Sequence, residues 1–228
     1  MAAQSIAVAS AGAIRRPGVH GAVWLDYWAL TKPEVNLLIV ITTAAAFCMA
    51  RTRVFASVPL SQLLHTLAGT LLVASGAATL NQWLERPFDA RMRRTVRRPV
   101  ASGRIPPAHA LVFGVLLSLA GIGQLLLTVG PVPSLLALAT LVSYLFLYTP
   151  LKRISPLCTL IGAAPGAIPP LIGWAATGAR LDSDAWQLFA ILFLWQLPTS
   201  WPSPGCTATI TNGRATSSSL AGRRGLAS

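Results

Sequence analysis

The sequence predicts an all-α, polytopic membrane helix bundle, and three observations carry that prediction. Of 228 residues, 54% are hydrophobic and only 11% charged, and the mean hydropathy is +0.61. A soluble domain normally carries about 25% charged residues, so much of this surface faces something other than water. Next, the apolar residues gather in runs near the length of a bilayer crossing, with few or no charges inside them. Finally, 18 Lys and Arg stand against 6 Asp and Glu, and the basic residues fall in short stretches between the apolar runs, as the positive-inside rule produces. That placement argues against a nucleic-acid partner, which a pI near 11.4 would otherwise invite.

Six apolar segments are read, at about 35–50, 62–84, 108–129, 133–149, 157–178 and 185–198. The first and fourth are short for a hydrocarbon core of about 30 Å and are expected to extend or tilt. Gly130-Pro131-Val132-Pro133 marks a tight turn between the third and fourth. The fifth contains Gly162, Pro165, Gly166, Pro169 and Pro170, so a kinked helix is expected, with neighbours or a cavity satisfying the freed backbone groups. Cys48, Cys158 and Cys206 show no paired spacing for zinc or a disulfide framework. At the N-terminus the mildly apolar stretch Ser5 to Ile14 precedes Arg15 and Arg16, the reverse of signal-peptide order, so the first membrane helix is expected to serve as an uncleaved anchor.

Orientation follows from the loops. Arg15, Arg16 and Lys32 precede the first span; seven arginines (86, 91, 93, 94, 97, 98 and 104) cluster after the second; Lys152 and Arg153 follow the fourth. Alternating spans place all three stretches on one side, which the charge bias makes the cytoplasmic one. Arg51 and Arg53 on the first outer loop run mildly against it.

The stretch closest to chemistry closes the second segment: Asn81-Gln-Trp-Leu-Glu85-Arg-Pro-Phe-Asp89-Ala-Arg-Met92-Arg-Arg-Thr95. Asn81, Glu85 and Asp89 are spaced i, i+4, i+8, which stacks three oxygen-bearing side chains on one helical face, approximately so because Pro87 can bend the helix. Carboxylates at a membrane boundary are costly unless they meet a cation or a water-filled cavity. One solution is ion pairing with Arg86, Arg93 or Arg94 in a solvated loop. The other is magnesium, which takes hard oxygen ligands and shares them with a substrate phosphate. Arginines beside such a site grip phosphate oxygens bidentately, although topology alone also explains a basic loop.

These residues resemble the first acidic motif of the UbiA superfamily of intramembrane prenyltransferases. The form Asn-x3-Glu-Arg-x2-Asp-x2-Met-x-Arg-Thr, followed by Arg98-Pro99 and Ser102-Gly103-Arg104, is similar to the branch that farnesylates protoheme IX. Leu30-Thr-Lys32-Pro33-Glu-Val-Asn36, Tyr148-Thr-Pro-Leu-Lys152-Arg153 and the run from Gly162 to Trp174 agree with it. The resemblance covers about residues 24–198. It implies transfer of a farnesyl group from farnesyl diphosphate to the vinyl group of protoheme IX (heme b, a substrate rather than a cofactor) to give heme O, in a bacterial inner membrane. It further implies Mg2+ held with the diphosphate by Asn81, Glu85 and Asp89, diphosphate donors at Arg94, Arg97, Arg98, Arg104, Lys152 and Arg153, and a pocket including Lys32, Asn36 and Tyr148. Further cavity candidates are Phe88, Gln124, Trp174 and Trp195, each weighed against ordinary helix packing. Heme A synthase or the terminal-oxidase assembly is an implied partner. His20, His65 and His109 are poor heme ligands by position. A quinone or chlorophyll prenyltransferase and a small-molecule transporter are the alternatives; the first usually has an Asp-rich motif, and the second predicts functional polar groups near the bilayer midplane rather than at one rim.

The resemblance stops at Pro198. Family bundles have about nine spans, and an unbroken apolar run is what each span requires, so about six are expected here. The domain reading is a cytoplasmic N-terminal tail at 1–30, a truncated prenyltransferase membrane domain at 31–198, and an aberrant, disordered tail at 199–228 too poor in apolar residues to cross a membrane. A single-base loss near codons 198–199 is the expected origin, weighed against a genuinely divergent tail. In the shifted frame Trp201-Pro202 yields alanine, and the stretch can read His-Phe-Leu-Ala-Ile-Ala-Trp-Met-Tyr-Arg-Asp, like the family's approach to a second acidic motif. Without that motif the chain is expected to hold diphosphate weakly and to be inactive.

Overall fold

The computed structural model describes residues 23–52, 59–151 and 158–200, and every element in them is helical. Helix α2 (Pro33–Arg51), α3 (Leu60–Asp89), α4 (Pro107–Thr128) and α5 (Pro131–Val142) with its continuation to Tyr148 are each long and apolar enough to cross a membrane. The chain is an integral membrane protein. Large apolar side chains stand outward, among them Leu116, Leu119, Leu127, Leu135, Phe146 and Ile191, as a bilayer solvent permits.

The sequence-read segments match these helices to within a few residues, with two additions. Val23–Thr31, placed in the leading tail by the sequence, is a helix of its own, α1. The fourth segment does not end as an α-helix: Ser143–Tyr148 is a π-helical stretch, continued by the short α6 (Thr149–Leu151). The fifth, expected to kink, is two helices, α7 (Cys158–Ala167) and α8 (Pro169–Ala176), meeting at Ile168. Prolines 169 and 170 start α8 without needing backbone donors, and Thr43 Oγ1 donates to the Pro169 carbonyl at 3.3 Å. Helix α9 (Ser183–Ser200) closes the described chain. Residues 1–22, 53–58, 152–157 and 201–228 lie outside the description; with them lie His20, Arg53, Lys152, Arg153, Cys206 and the whole sequence-read tail after Ser200.

Without hydrophobic attraction between helices in lipid, close approach of backbones carries the packing. Gly69 and Gly76 on α3 face Gly114, Ser118 and Gly121 on α4. A Cβ on Gly121 would sit 2.7 Å from the Gly69 carbonyl, and one on Gly76 would sit 2.8 Å from the Gly114 carbonyl. Across the bundle, Gly173 lets α8 rest against α2, where a Cβ would overlap the Thr43 carbonyl oxygen. Around these contacts Val73, Leu80, Leu125, Leu141 and Ile172 form a buried apolar core.

Helix α3 has 30 residues, which at 1.5 Å each is about 45 Å, against a hydrocarbon core of about 30 Å. Its last turns therefore stand at the membrane boundary, and they hold Asn81, Glu85 and Asp89. Pro87 does not end the helix. The Trp83 carbonyl that loses its partner to the proline accepts a 3.2 Å bond from Arg86 Nη1, whose guanidinium also lies 5.0 Å over the Trp83 ring.

Replacing Gly76 by leucine should separate α3 from α4, because the side chain meets backbone atoms of Gly114 and Ser118 that cannot move aside. A loss of about 1–3 kcal/mol is expected from such overpacking, read as a lower thermal midpoint in detergent. Gly123→Leu, where nothing lies within 4 Å of an added Cβ, should leave the midpoint unchanged or higher.

Candidate active site

The acidic face of α3 is buried, not solvated. Asn81, Glu85 and Asp89 are 2%, 5% and 4% exposed. Asn81 Nδ2 donates to Glu85 Oε2 at 3.2 Å, and Thr149 Oγ1 at the end of the π-helical stretch donates to Asn81 Oδ1 at 3.0 Å. Above them Arg98 Nη1 reaches both carboxylates, at 2.6 Å to Asp89 Oδ2 and 3.4 Å to Glu85 Oε2. The shorter contact is the strong charge-assisted one. The i, i+4, i+8 pattern thus yields a converging group, and among the described residues the cation seen within it is Arg98 rather than the Arg86, Arg93 or Arg94 weighed from sequence.

Arg98 arrives there because the basic loop is a folded cap. Turns are closed by backbone bonds from Thr95 and Val96 to the Met92 carbonyl, from Arg98 to Thr95 and from Ser102 to Arg98. Thr95 Oγ1 donates to the Asp89 carbonyl at 3.1 Å, tying the cap to the end of α3. Val100 and Ile105 pack with Leu30 of α1 and Ala110 of α4, and Tyr27 meets Phe113 edge-on at 5.0 Å. Gln82 Nε2 fastens α1 from the other side, donating to the Leu30 carbonyl at 3.1 Å.

The remaining sequence-named cations separate. Arg94 and Arg97 are exposed on the cap. Arg104 is turned to structure: its Nε lies 2.9 Å from Asp26 Oδ1 and its Nη2 donates to the Arg97 carbonyl at 3.0 Å. Lys32 links α1 to α2 in the left-handed backbone region, with φ 51°. A non-glycine residue rarely holds that conformation, and residues that do are often at ligand sites. Burial lowers the Lys32 pKa below its ordinary 10.5; Arg98 adds to this, Asp89 opposes it, and Arg94 lowers it further.

Beneath this rim lies a cavity of about 640 Å³ between α2, α3, α5, α7, α8 and α9, within the usual range for one small-molecule ligand. Its polar mouth includes Lys32, Asn36, Tyr144, Tyr148 and Gln196; its wall is mainly alanine and aliphatic side chains. Asn36 is fixed by Nδ2 bonds to the Thr31 carbonyl at 2.7 Å and to Ser75 Oγ at 2.9 Å. Lys32, Asn36 and Tyr148, named from sequence, all line the cavity, as does Trp195. Phe88 is 40% exposed, Gln124 is not among the lining residues, and Trp174 is core, its Nε1 donating to the Arg180 carbonyl at 3.1 Å. His65 and His109 are exposed. A second hollow, of about 570 Å³ near Cys48, Met49 and Asp184, lies at the opposite end of α2 from Lys32.

Sequence reading missed Tyr144 and Thr149. Tyr144 stacks on Tyr148 with ring centroids 5.3 Å apart, and both depend on the π-helical stretch, which turns them toward the mouth. A pair of tyrosines four apart at the end of an apolar run is the available signal.

The donor chemistry fits a hard divalent cation. Two buried carboxylates converge on one point, an amide oxygen with a second lone pair stands behind them, and a positive group already occupies the convergence. Among the described residues no three His, Cys, Asp or Glu side chains gather, so such an ion would need a ligand's oxygens to complete its shell, as magnesium commonly does.

Comparison with known proteins agrees with this architecture. Residues 39–224 match the model of the UbiA prenyltransferase family, a match running past Pro198. A protoheme IX farnesyltransferase of Solibacter usitatus is 47% identical over 179 residues, covering 76% of this chain and 61% of that one. A protoheme IX farnesyltransferase of Koribacter versatilis is 45% identical over 190 residues, covering 82% and 60%. The chain therefore spans about 60% of the length of these curated relatives. A solved structure reported for digeranylgeranylglyceryl phosphate synthase shares the fold, with a TM-score of 0.67 over 77% of this chain and 60% of that one at 15% identity. With the family match spanning most of its length, its helices and its rim of buried acids, this chain belongs to the UbiA prenyltransferase family.

Proposed function

We propose that the protein farnesylates protoheme IX, taking farnesyl diphosphate as donor and yielding heme O. The observation that carries the reading is the link between the Glu85–Asp89–Arg98 cluster and an apolar cavity through Lys32, which lines the cavity and lies within electrostatic reach of Arg98 and Asp89; the kinship with protoheme IX farnesyltransferases supports protoheme as the acceptor. A diphosphate carries dense negative charge and a farnesyl chain none, so one ligand needs both environments. Its head would sit at the rim and its tail among the alanines of α3 and α5.

Glu85 and Asp89, with Asn81 behind them, would hold Mg2+ shared with the diphosphate. That ion supplies neutralisation of the leaving group's charge. Arg98 and Lys32 add donors aimed at the same charge, with Arg94 and Arg97 available on the cap and Lys152 and Arg153 proposed from sequence. As the C1–O bond breaks, the diphosphate leaves with the electron pair. The protoheme vinyl group attacks the allylic carbon, and water adds to the resulting cation, releasing a proton and leaving a hydroxyethylfarnesyl chain. The cavity's apolar wall keeps water from the allylic carbon until the acceptor reaches it. The basic stretches favour an inner membrane with this rim cytoplasmic.

The test uses membranes lacking heme O synthesis, carrying either this chain or a chain with the continuation expected from sequence in place of the residues after Pro198. Farnesylated heme is sought by mass spectrometry after adding farnesyl diphosphate, protoheme and Mg2+. Product that disappears in Glu85→Gln and Asp89→Asn, by at least about a hundredfold for loss of a charge-stabilising group, supports the reading. A prenylated quinone in place of heme product would select the other acceptor class. No product from either chain, with both present in the membrane, would sink the assignment.

Lys32 gives a separate, pH-dependent expectation. Its folded pKa lies below the unfolded 10.5, so between those two values the unfolded chain binds more protons and stability rises with pH. Below the lowered value the folded protein bears the full cost of the buried charge. Lys32→Met should therefore raise the thermal midpoint at pH 7, abolish the rise toward pH 10.5, and weaken retention of labelled diphosphate. A midpoint that falls on this substitution would contradict the burial argument.

A further inference from the structure

We infer that Arg98 is the counter-cation that closes the Glu85–Asp89 site to free divalent metal, making metal binding depend on diphosphate. The inference rests on the diphosphate reading above and goes beyond it, since it concerns the order and coupling of two ligands.

Two carboxylates exposed by 5% and 4% bring negative charge out of water side by side, an arrangement that calls for a positive group. Arg98 Nη1 is that group, placed at 2.6 and 3.4 Å from the two acids, at the point where their oxygens converge. A divalent ion arriving alone must displace it and strand a guanidinium beside Lys32, which Arg94 also approaches. A diphosphate reverses that balance. Its oxygens offer the guanidinium paired acceptors that match its planar fork better than two separate carboxylates do, and Asp89, released from its 2.6 Å ion pair with Arg98, is then open to the metal.

The cap gives Arg98 the means to exchange partners. Its side chain is 26% exposed while those of Glu85 and Asp89 are 6% exposed, so the guanidinium lies on the solvent side of the acids. Its backbone is held on both sides, by the bond to the Thr95 carbonyl and the one from Ser102. Thr95 is in turn fixed to the Asp89 carbonyl. The exchange thus needs side-chain rotation only, and Arg98 acts as a positioning residue for the metal.

Purified chain in detergent would be tested by equilibrium dialysis with Mn2+ alone, with labelled inorganic diphosphate alone, and with both. Wild type should retain diphosphate without metal, and should retain Mn2+ at least about tenfold more tightly, roughly 1.4 kcal/mol, when diphosphate is present. Arg98→Gln should bind Mn2+ alone at least about tenfold better than wild type and hold diphosphate more weakly. Arg98→Lys, which keeps a cation in place, should stay close to wild type for Mn2+ alone. Equal Mn2+ affinity in wild type and Arg98→Gln would overturn the role of Arg98 while leaving diphosphate binding intact. Failure of wild type to retain diphosphate under any condition would overturn the underlying reading as well. If Arg98→Gln does not fold, the wild-type comparison decides alone: tight Mn2+ binding without diphosphate refutes the inference.

Discussion

Two carboxylates buried at the end of an apolar helix must be given a cation, and most of the rim of this protein follows from that requirement. Asp89 and Glu85 lie on the last turns of α3, where the helix has outrun the hydrocarbon core. Arg98 meets them only because the seventeen residues between α3 and α4 are wound into a cap by turn hydrogen bonds, as irregular backbone at a membrane boundary must be if its polar groups are to be satisfied. The cap needs an apolar floor, supplied by Leu30, Val100, Ile105 and Ala110. The floor in turn needs α1, which Gln82 and the Arg104–Asp26 pair hold in place. Removing the acids would leave the rest of this arrangement without its electrostatic purpose.

The parts of the fold legible in the sequence are those with local causes. Length and apolarity locate the membrane helices, the prolines and glycines of the fifth segment signal a break that falls at Ile168, and helical spacing puts Asn81, Glu85 and Asp89 on one face. Local reasoning fails where a distant partner decides. Asp26 and the short length of Val23–Thr31 conceal a helix that is stable only against the cap and α3. Seven arginines in one loop look equivalent on paper, yet contact with Asp26 occupies Arg104 while contact with Asp89 selects Arg98. Trp174 and Trp195 both read as aromatic cavity candidates, and only packing separates the core one from the lining one. The π-helical stretch has no compositional mark at all; it shows only in the backbone hydrogen bonding of Ser143–Tyr148.

Small residues serve two opposite ends in the same bundle. Between α3 and α4, and between α2 and α8, the absence of a Cβ brings backbones together and removes space. On α7 the glycines admit side chains instead: the Tyr148 ring lies where a Gly162 Cβ would be, and the Gln196 amide where a Gly166 Cβ would be. These two polar groups are thereby drawn to the cavity mouth, while Ala74, Ala77, Ala78 and Ala137 keep the interior wide. Rigidity on the α4 side and room on the α7 side come from one compositional habit, distinguished by what faces each glycine.

That division also explains why charge and cavity meet at one level. A lipid-embedded protein can afford ionised groups only at its rim or in a wet interior, whereas an apolar chain gains nothing from leaving the hydrocarbon. A ligand with an anionic head and an apolar tail is therefore held at lowest cost straddling the boundary. Helix α3 is the element that spans it, with Val73, Ala74 and Ala77 in the cavity wall and Glu85 and Asp89 under the cap. From Ala74 to Glu85 is eleven residues of one unbroken helix, about 16 Å at 1.5 Å per residue. The separation between head and tail environments is thus fixed by covalent helix geometry, and bending of the bundle elsewhere leaves it unchanged.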